Sequence, residues 1–232
     1  MTINPYQSPT FVVAGGISNY RSASSLASIL TGLFLGNATL DILITWVIRP
    51  CFFRYGPGFV AEYSENSFEH LFVAIYFISL SNALLYLAGS ILFFVFLYRA
   101  HSNARALGAT QLKYSATWTI ASFFIPLVNL YIPYEAVRDI YRFSAIDNDE
   151  RPPPRSTPIV SWWWTATVTW WVTIWILPIL ARLQVPFGLI YSLELLDPLV
   201  SAIALVLLVL WIRQIASRQT QLSMRRASVD AF

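Results

Sequence analysis

The sequence predicts an all-α protein: a multi-pass transmembrane helical bundle with four full spans, one proline-broken segment and an interfacial helix. Three observations lead there. Apolar residues make up 56% of the 232 and charged residues only 12%, whereas soluble domains carry about 25% charge. Four stretches reach the roughly 20 apolar residues that a helix needs to cross hydrocarbon. The basic residues behind the net charge of +3 and the pI near 9.1 sit beside those stretches and build no separate basic face. They set orientation in a bilayer, and nucleic acid is not expected as a partner.

Taken in order, residues 1–23 form a polar tail, expected to be cytoplasmic. The tail lacks a cationic start followed by an apolar run, so the first span is expected to serve as an uncleaved anchor. That span runs from about Ser24 to Ile48 and stops at Arg49 and Pro50. The second runs from about Leu71 to Tyr98 and is long enough to tilt. A fifth apolar segment, about Ser115 to Tyr134, is interrupted by Pro126 and Pro133 with Asn129 between them. Proline removes a backbone donor, and such breaks persist at membrane depth only where protein or water satisfies the freed carbonyls. The segment either spans or enters and returns on one side. Next comes PYEAVRDIYRF, with Val137, Ile140 and Tyr141 on one side and Glu135, Arg138, Asp139 and Arg142 on the other. This is the pattern of an interfacial helix, with proline in its permitted first turn. A proline-rich tether, residues 147–158, leads to a tryptophan-rich third span, about Ile159 to Ala181. The last span, about Leu193 to Ile212, extends into a basic cytoplasmic tail over residues 214–232, suited to anionic lipid headgroups. Residues 24–213 are thus read as one transmembrane domain.

Positive charge discriminates between the two readings of the broken segment. If it re-enters, with both termini cytoplasmic, 12 basic residues lie inside and three (Arg49, Arg54 and Arg182) outside. If it spans, the better orientation gives 10 to 5. The positive-inside rule favours re-entry, in a cell membrane.

Several polar residues stand out against this apolar background. Asn37 and Asp41 lie four apart on one face of the first span. A carboxylate there either binds a proton or cation or completes a structural hydrogen-bond pair. Ser24, Ser28, Gly32 and Gly36 repeat every four residues along the same helix. Small residues at that spacing allow close helix approach, to another helix of the chain, a second copy or a membrane-protein partner. Arg99, His101, Asn103 and Arg105 end the second helix, with Gly108 placed to terminate it. In the third span Trp164, Trp171 and Trp175 share one stripe, and Trp163 and Trp170 another. Packing and lipid contact explain them more simply than an aromatic wall for an organic cation. Glu194 and Asp197, next to Pro198, suit the N-terminal cap of the last span, or pairing with Arg182 or Arg49. Cys51 is the lone cysteine, expected to pack near a helix end, so no internal disulfide or cysteine metal cluster is possible. His70 and His101 lack partners at metal-ligand spacing, and no hydrolase, P-loop or dinucleotide motif is present. No cofactor or metal site is therefore expected, and no enzyme.

The stretch Phe96–Ser144 resembles the core of a bacterial membrane family known as domain of unknown function 4328. The similarity rests on YRAxxNARALGA at Tyr98–Ala109, a following tryptophan, and FIPxxNLxxPYxAxRxI at Phe124–Ile140. The chain departs from it at Ser115–Trp118, where members often carry Ser-Pro-Gly-Trp, and at Tyr141–Ser144, where they carry Trp-Arg-Ala-Ser. The resemblance implies a multi-pass membrane protein of a bacterial inner membrane and supplies no activity. It also singles out Asn103 and Arg105, since anchoring alone does not specify an asparagine. These two are expected to bind carbonyls or carboxylates freed by the broken segment, including Asn129 or Glu135.

Two function classes follow: a membrane-embedded binding or assembly module, and a small permease using Asn37, Asp41 and Asn129 around a broken helix. Re-entry carries its own expectation. A reporter fused after Ser156 should read cytoplasmic, and a periplasmic reading would make the broken segment a fifth span.

Overall fold

The computed structural model describes residues 19–48, 65–109, 112–144 and 157–229. The N-terminal tail up to residue 18, Arg49, Cys51, Arg54 and the tether through residue 156 lie outside the described residues. Every regular element among the described residues is helical. Helix α1 is Ser24–Leu43 and continues as a π-helical turn, Ile44–Ile48. Helix α2 is Glu65–Ala106 and α3 is Ala116–Ala121, followed by 3-10 turns at Ser122–Phe124 and Val128–Leu130. Helices α4, α5 and α6 are Ile132–Ser144, Pro158–Arg182 and Phe187–Val229.

Four helical stretches are long and apolar enough to cross a membrane: Ser24–Ile48, Val73–Ala106, Pro158–Arg182 and Gly188–Ser228. The first matches the sequence boundaries, and the third exceeds them by one residue at each end. The second and fourth overrun them by eight residues or more at the C-terminal end. Arg99, Arg105, Arg213 and Arg218 stop an apolar run but are good helix formers, so the hydrogen-bond ladder continues through them. The fifth segment bends by 113° between Ala116–Phe124 and Val128–Ser144. Its first arm starts where the Ser115 hydroxyl accepts the Trp118 amide at 3.1 Å. Pro126 follows the 3-10 turn, and the Asn129 amide closes back on the Ile125 carbonyl at 2.7 Å. Pro133 then falls in the first turn of α4, where a missing N–H costs no helical bond.

The chain divides into two compact units, with all four long helices contributing to both. One is built from 1–28, 94–161 and 210–232, the other from 29–93 and 162–209. In the first, Phe96, Leu97, Val137, Ile140, Trp211, Ile212 and Ile215 are almost fully enclosed, with the Phe96 and Trp211 rings 6.3 Å apart. In the second, Leu30, Phe34, Trp163, Trp164, Leu205 and Leu208 are buried. A Cβ on Gly89 would stand 2.8 Å from the Phe34 ring, so only glycine admits that contact. Small polar residues within the spans need no distant partner. Thr39, Ser81, Ser90, Thr173 and Ser192 each donate to the carbonyl four residues back in their own helix, at 2.8–3.0 Å. This removes the cost of a bare hydroxyl in hydrocarbon.

Two helices end in the same motif with different residues. After α2, the Ala109 amide bonds the Ala104 carbonyl and the Gly108 amide the Arg105 carbonyl, both at 2.9 Å, with Gly108 at φ 89°. After α5, Val185 bonds Leu180 and Gln184 bonds Ala181 at 3.3 Å each, with Gln184 at φ 55°. The left-handed position suits glycine and strains a residue with a Cβ. Substitutions should therefore move stability in opposite directions: Gly108→Ala lowers it by about 1–2 kcal/mol, and Gln184→Gly raises it by up to about 1 kcal/mol. Thermal melts in detergent check both signs.

Candidate functional site

Asn37 and Asp41 leave α1 on related faces but have different uses. The Asn37 amide is 5% exposed and donates to Asn82 on α2, at 2.8 Å to Oδ1 and 3.1 Å to the backbone carbonyl. Two amides paired in an apolar interior satisfy each other, and Asn37 is a packing residue. Asp41 is half-buried and accepts from the Ser201 hydroxyl on α6 at 3.1 Å. Its carboxylate lines a cavity of about 360 Å³, together with Thr45, Pro178, Glu194 and Asp197 and the apolar Ile174, Leu177, Ala181 and Ile190.

Glu194 and Asp197 were expected at the helix N-terminus, and the structure corrects this. Helix α6 begins at Phe187, so both carboxylates sit two or more turns inside it, beyond the reach of its terminal N–H groups. They share the cavity with Asp41 instead. The helical hydrogen-bond ladder around this cavity is altered in three places. Thr45 belongs to the π-helical turn of α1, and Pro178 and Pro198 cannot donate to the carbonyls of Ile174 and Glu194, while α5 and α6 run on unbroken through them. The Trp46 indole N–H donates to the Leu195 carbonyl at 3.1 Å, holding that turn against α6. The cavity takes its lining from residues 29–93 and 162–209 and includes no residue of the broken segment. Asn129, expected to join Asp41, does not.

The small-residue stripe is separate again. Ser24, Ser28, Gly32 and Gly36 are all exposed, and a Cβ on either glycine would meet nothing within 4 Å. The tight contact inside the bundle uses Gly89 and Phe34, so α1 leaves its small residues uncovered and turns Asn37 the other way. Of the tryptophans, Trp163 and Trp164 are buried, Trp164 packs edge-on to Trp171 at 5.8 Å, and Trp170 packs edge-on to Tyr86 at 5.8 Å. Trp162 and Trp175 are exposed. These side chains do not converge into one aromatic wall.

The other compact unit holds the family-like motif residues. Asn103, 1% exposed, does not touch the broken segment. It clamps the chain just before α1, donating to the Arg21 carbonyl at 2.8 Å and accepting the Arg21 amide at 3.1 Å. It also donates to Gln219 Oε1 at 3.4 Å, and Gln219 Nε2 donates to the Ala100 carbonyl at 2.9 Å and to the Ser144 hydroxyl at 3.2 Å. One buried amide pair thus ties the start of α1 to α2, α4 and α6. Arg99 adds a bond to the Ser22 carbonyl at 3.2 Å, while Arg105 is exposed. For Asn103 the expected service to the broken segment gives way because its amide finds matching donor and acceptor on the Arg21 backbone.

Glu135 was placed on the polar side of α4, yet it is 5% exposed. It turns inward because four groups surround it. Lys113 Nζ lies 2.7 Å and the Tyr114 hydroxyl 2.6 Å from Oε2, the Tyr131 hydroxyl 2.6 Å from Oε1, and Arg138 Nη2 3.6 Å from Oε1. The carboxylate holds the Lys113 ammonium well above its ordinary pKa and raises that of the Tyr114 hydroxyl, through these same hydrogen bonds. His101, also buried, bonds the Tyr114 carbonyl at 2.8 Å and fixes the same loop. Lys113, Tyr114, Tyr131 and Gln219 escaped the sequence reading. Gln219 left a trace, falling with Ile212, Ile215 and Ala216 on one helical stripe; the Glu135 partners left none.

A family model described as a domain of unknown function (DUF4328) matches residues 69–218. Neither a curated protein nor a solved structure matches the chain.

The buried clamp and the exposed Arg105 beside it separate by mutation. Asn103→Ala leaves the Arg21 backbone and Gln219 without their partner and should cost about 2–4 kcal/mol. Arg105→Lys should change stability by less than about 0.5 kcal/mol. Melting midpoints and membrane yield of the two variants report the difference.

Proposed function

The chain belongs to the DUF4328 family, and we propose that it is a non-enzymatic, membrane-embedded binding module that takes a small organic cation at the Asp41 cavity. The proposed setting is a bacterial inner membrane with both termini cytoplasmic, which the distribution of arginine and lysine supports. The observation behind the binding reading is the convergence of Asp41, Glu194 and Asp197 on one cavity between apolar helices. Carboxylates at membrane depth are costly and are retained where they meet a partner charge or water. The cavity volume of about 360 Å³ falls at the lower end of small-molecule pockets, and its walls are divided about evenly between polar and apolar surface. Among the described residues no three acidic, histidine or cysteine side chains gather round one point as metal chelation requires. An ammonium group on a short carbon chain suits such a lining better than a bare ion. The exposed small-residue face of α1 supports assembly with a second helix-bearing partner.

A second reading, a small permease, is favoured by the altered hydrogen-bond ladder at Thr45, Pro178 and Pro198 around the same cavity. Transporters place interrupted helices at their binding sites.

Titration of the purified full chain in detergent with 1,4-diaminobutane, sodium and calcium tests the binding reading. The diamine should raise the melting midpoint saturably, and Asp41→Asn and Glu194→Gln should each weaken that response by about tenfold or more. A wild-type protein that responds to none of the three cations would sink the reading. Diamine uptake into reconstituted vesicles, abolished by Asp41→Asn, would establish the permease.

A further inference from the structure

Helix α4 carries Tyr134, Arg138 and Arg142 at four-residue steps, one turn apart along one face, with Tyr141 three residues after Arg138. The Arg138 guanidinium lies over the Tyr134 ring at 5.5 Å. From α6, Arg218 lies over the Tyr141 ring at 5.0 Å, and Tyr141 donates its hydroxyl to Gln214, one helical turn before Arg218. Two guanidinium groups, of Arg138 and Arg218, are thereby held against aromatic rings of α4, and Arg142 stands one turn beyond Arg138. Each of the three is half-buried and carries a nitrogen shielded from solvent that makes no hydrogen bond among the described residues: Nε of Arg138, Nε of Arg142 and Nη1 of Arg218.

Those three nitrogens are closed to solvent and to a ligand alike, so an anion can meet only the part of each half-buried guanidinium that stays open. Glu135 is taken by Lys113 and two tyrosine hydroxyls. Asp139 Oδ1 stands 3.8 Å from Arg138 Nε, beyond hydrogen-bond range. A guanidinium over a ring still presents its N–H edge, and that planar fork matches the oxygens of a phosphate. The apolar residues leading into α4 are exposed at the bend: Phe124 70%, Leu127 83%, Leu130 53% and Tyr131 57%. By helical rise from Ile132, Arg138 and Arg142 lie about 9–15 Å along the axis from that apolar tip. This is the separation of a lipid headgroup from its upper acyl chain, on the order of 10 Å.

We propose that Arg138, Arg142 and Arg218 form a binding site for the phosphate of an anionic phospholipid, whose acyl chains lie against the exposed bend. The site uses neither the Asp41 cavity nor any residue lining it. Arg142 and Arg218 are the residues to vary, because Arg138 also contacts Glu135.

The test is titration of the full chain in neutral detergent with short-chain phosphatidylglycerol, short-chain phosphatidylcholine or inorganic phosphate, read as the shift in melting midpoint. Phosphatidylglycerol should stabilise the wild type saturably and more than either control. Arg142→Gln with Arg218→Gln should weaken that response by about tenfold or more. Removal of an equal charge at the exposed Arg213, by Arg213→Gln, should leave it within about twofold. If the double glutamine variant does not fold, Arg142→Lys with Arg218→Lys keeps the charge but loses the fork, and the response should still weaken several-fold. Equal responses to the two lipids would overturn the site, as would an Arg213→Gln loss as large as the double variant's. Saturation by inorganic phosphate as tight as by the lipid would replace the headgroup with a soluble anion and overturn it equally. The acidic residues after α4 are the remaining competitor. If the wild type responds only after Asp147→Asn, Asp149→Asn and Glu150→Gln, the chain's own string fills the site and the proposal fails.

Discussion

A polar group in an apolar bundle must find its partner inside the protein, because hydrocarbon offers none. Most of the arrangement described above follows from how each group meets that demand. Serine and threonine hydroxyls meet it locally, bonding the carbonyl one turn back, and can therefore face any direction. Amides need a second amide or an open backbone, so Asn37 fixes α1 against α2 through Asn82. Asn103 and Gln219 bring the Arg21 backbone, α2, α4 and α6 to one point. Removing either member of that pair deprives several donors and acceptors of a partner at once, which gives the clamp more weight than its individual bond lengths suggest.

Charged groups meet the same demand at higher cost, and the two compact units do so differently. Glu135 is saturated by an ammonium, two phenols and a guanidinium, so it is a lock on the 112–115 loop and has no spare capacity for a ligand. The Asp41 carboxylate takes a single serine hydroxyl across to α6 and faces a cavity. Full satisfaction reads as structure, and partial satisfaction beside open volume reads as a place for a ligand. Arg138 and Arg142 of α4 and Arg218 of α6 fit the second pattern on the cationic side, with aromatic rings covering the faces of Arg138 and Arg218.

The spans were legible because hydrophobic length is a local property: the Ser24–Ile48 boundaries and the bent segment between Pro126 and Pro133 emerge from composition and proline chemistry alone. The C-terminal ends of α2 and α6 were not, since arginine ends an apolar run without ending a helix. Of the partners open to the small-residue stripe, a helix of the same chain is not the one used: the close approach among the described residues is made by Gly89, a lone glycine whose partner is Phe34, while a Cβ on Gly32 or Gly36 would meet nothing.

From the sequence by itself came the class of protein, the four helices long and apolar enough to cross a membrane with a broken segment beside them, and the short list of polar residues in an apolar chain. Which of those residues meet was decided only by the tertiary structure. Asp41 found Glu194 and Asp197 instead of Asn129, Asn103 found the Arg21 backbone instead of the broken segment, and Glu135 turned inward to Lys113 and two tyrosines. Helical periodicity tells which face a side chain leaves from. A hydrogen bond or ion pair depends on which other helix lies across from that face and at what height, and that is fixed by packing over separations of tens to hundreds of residues.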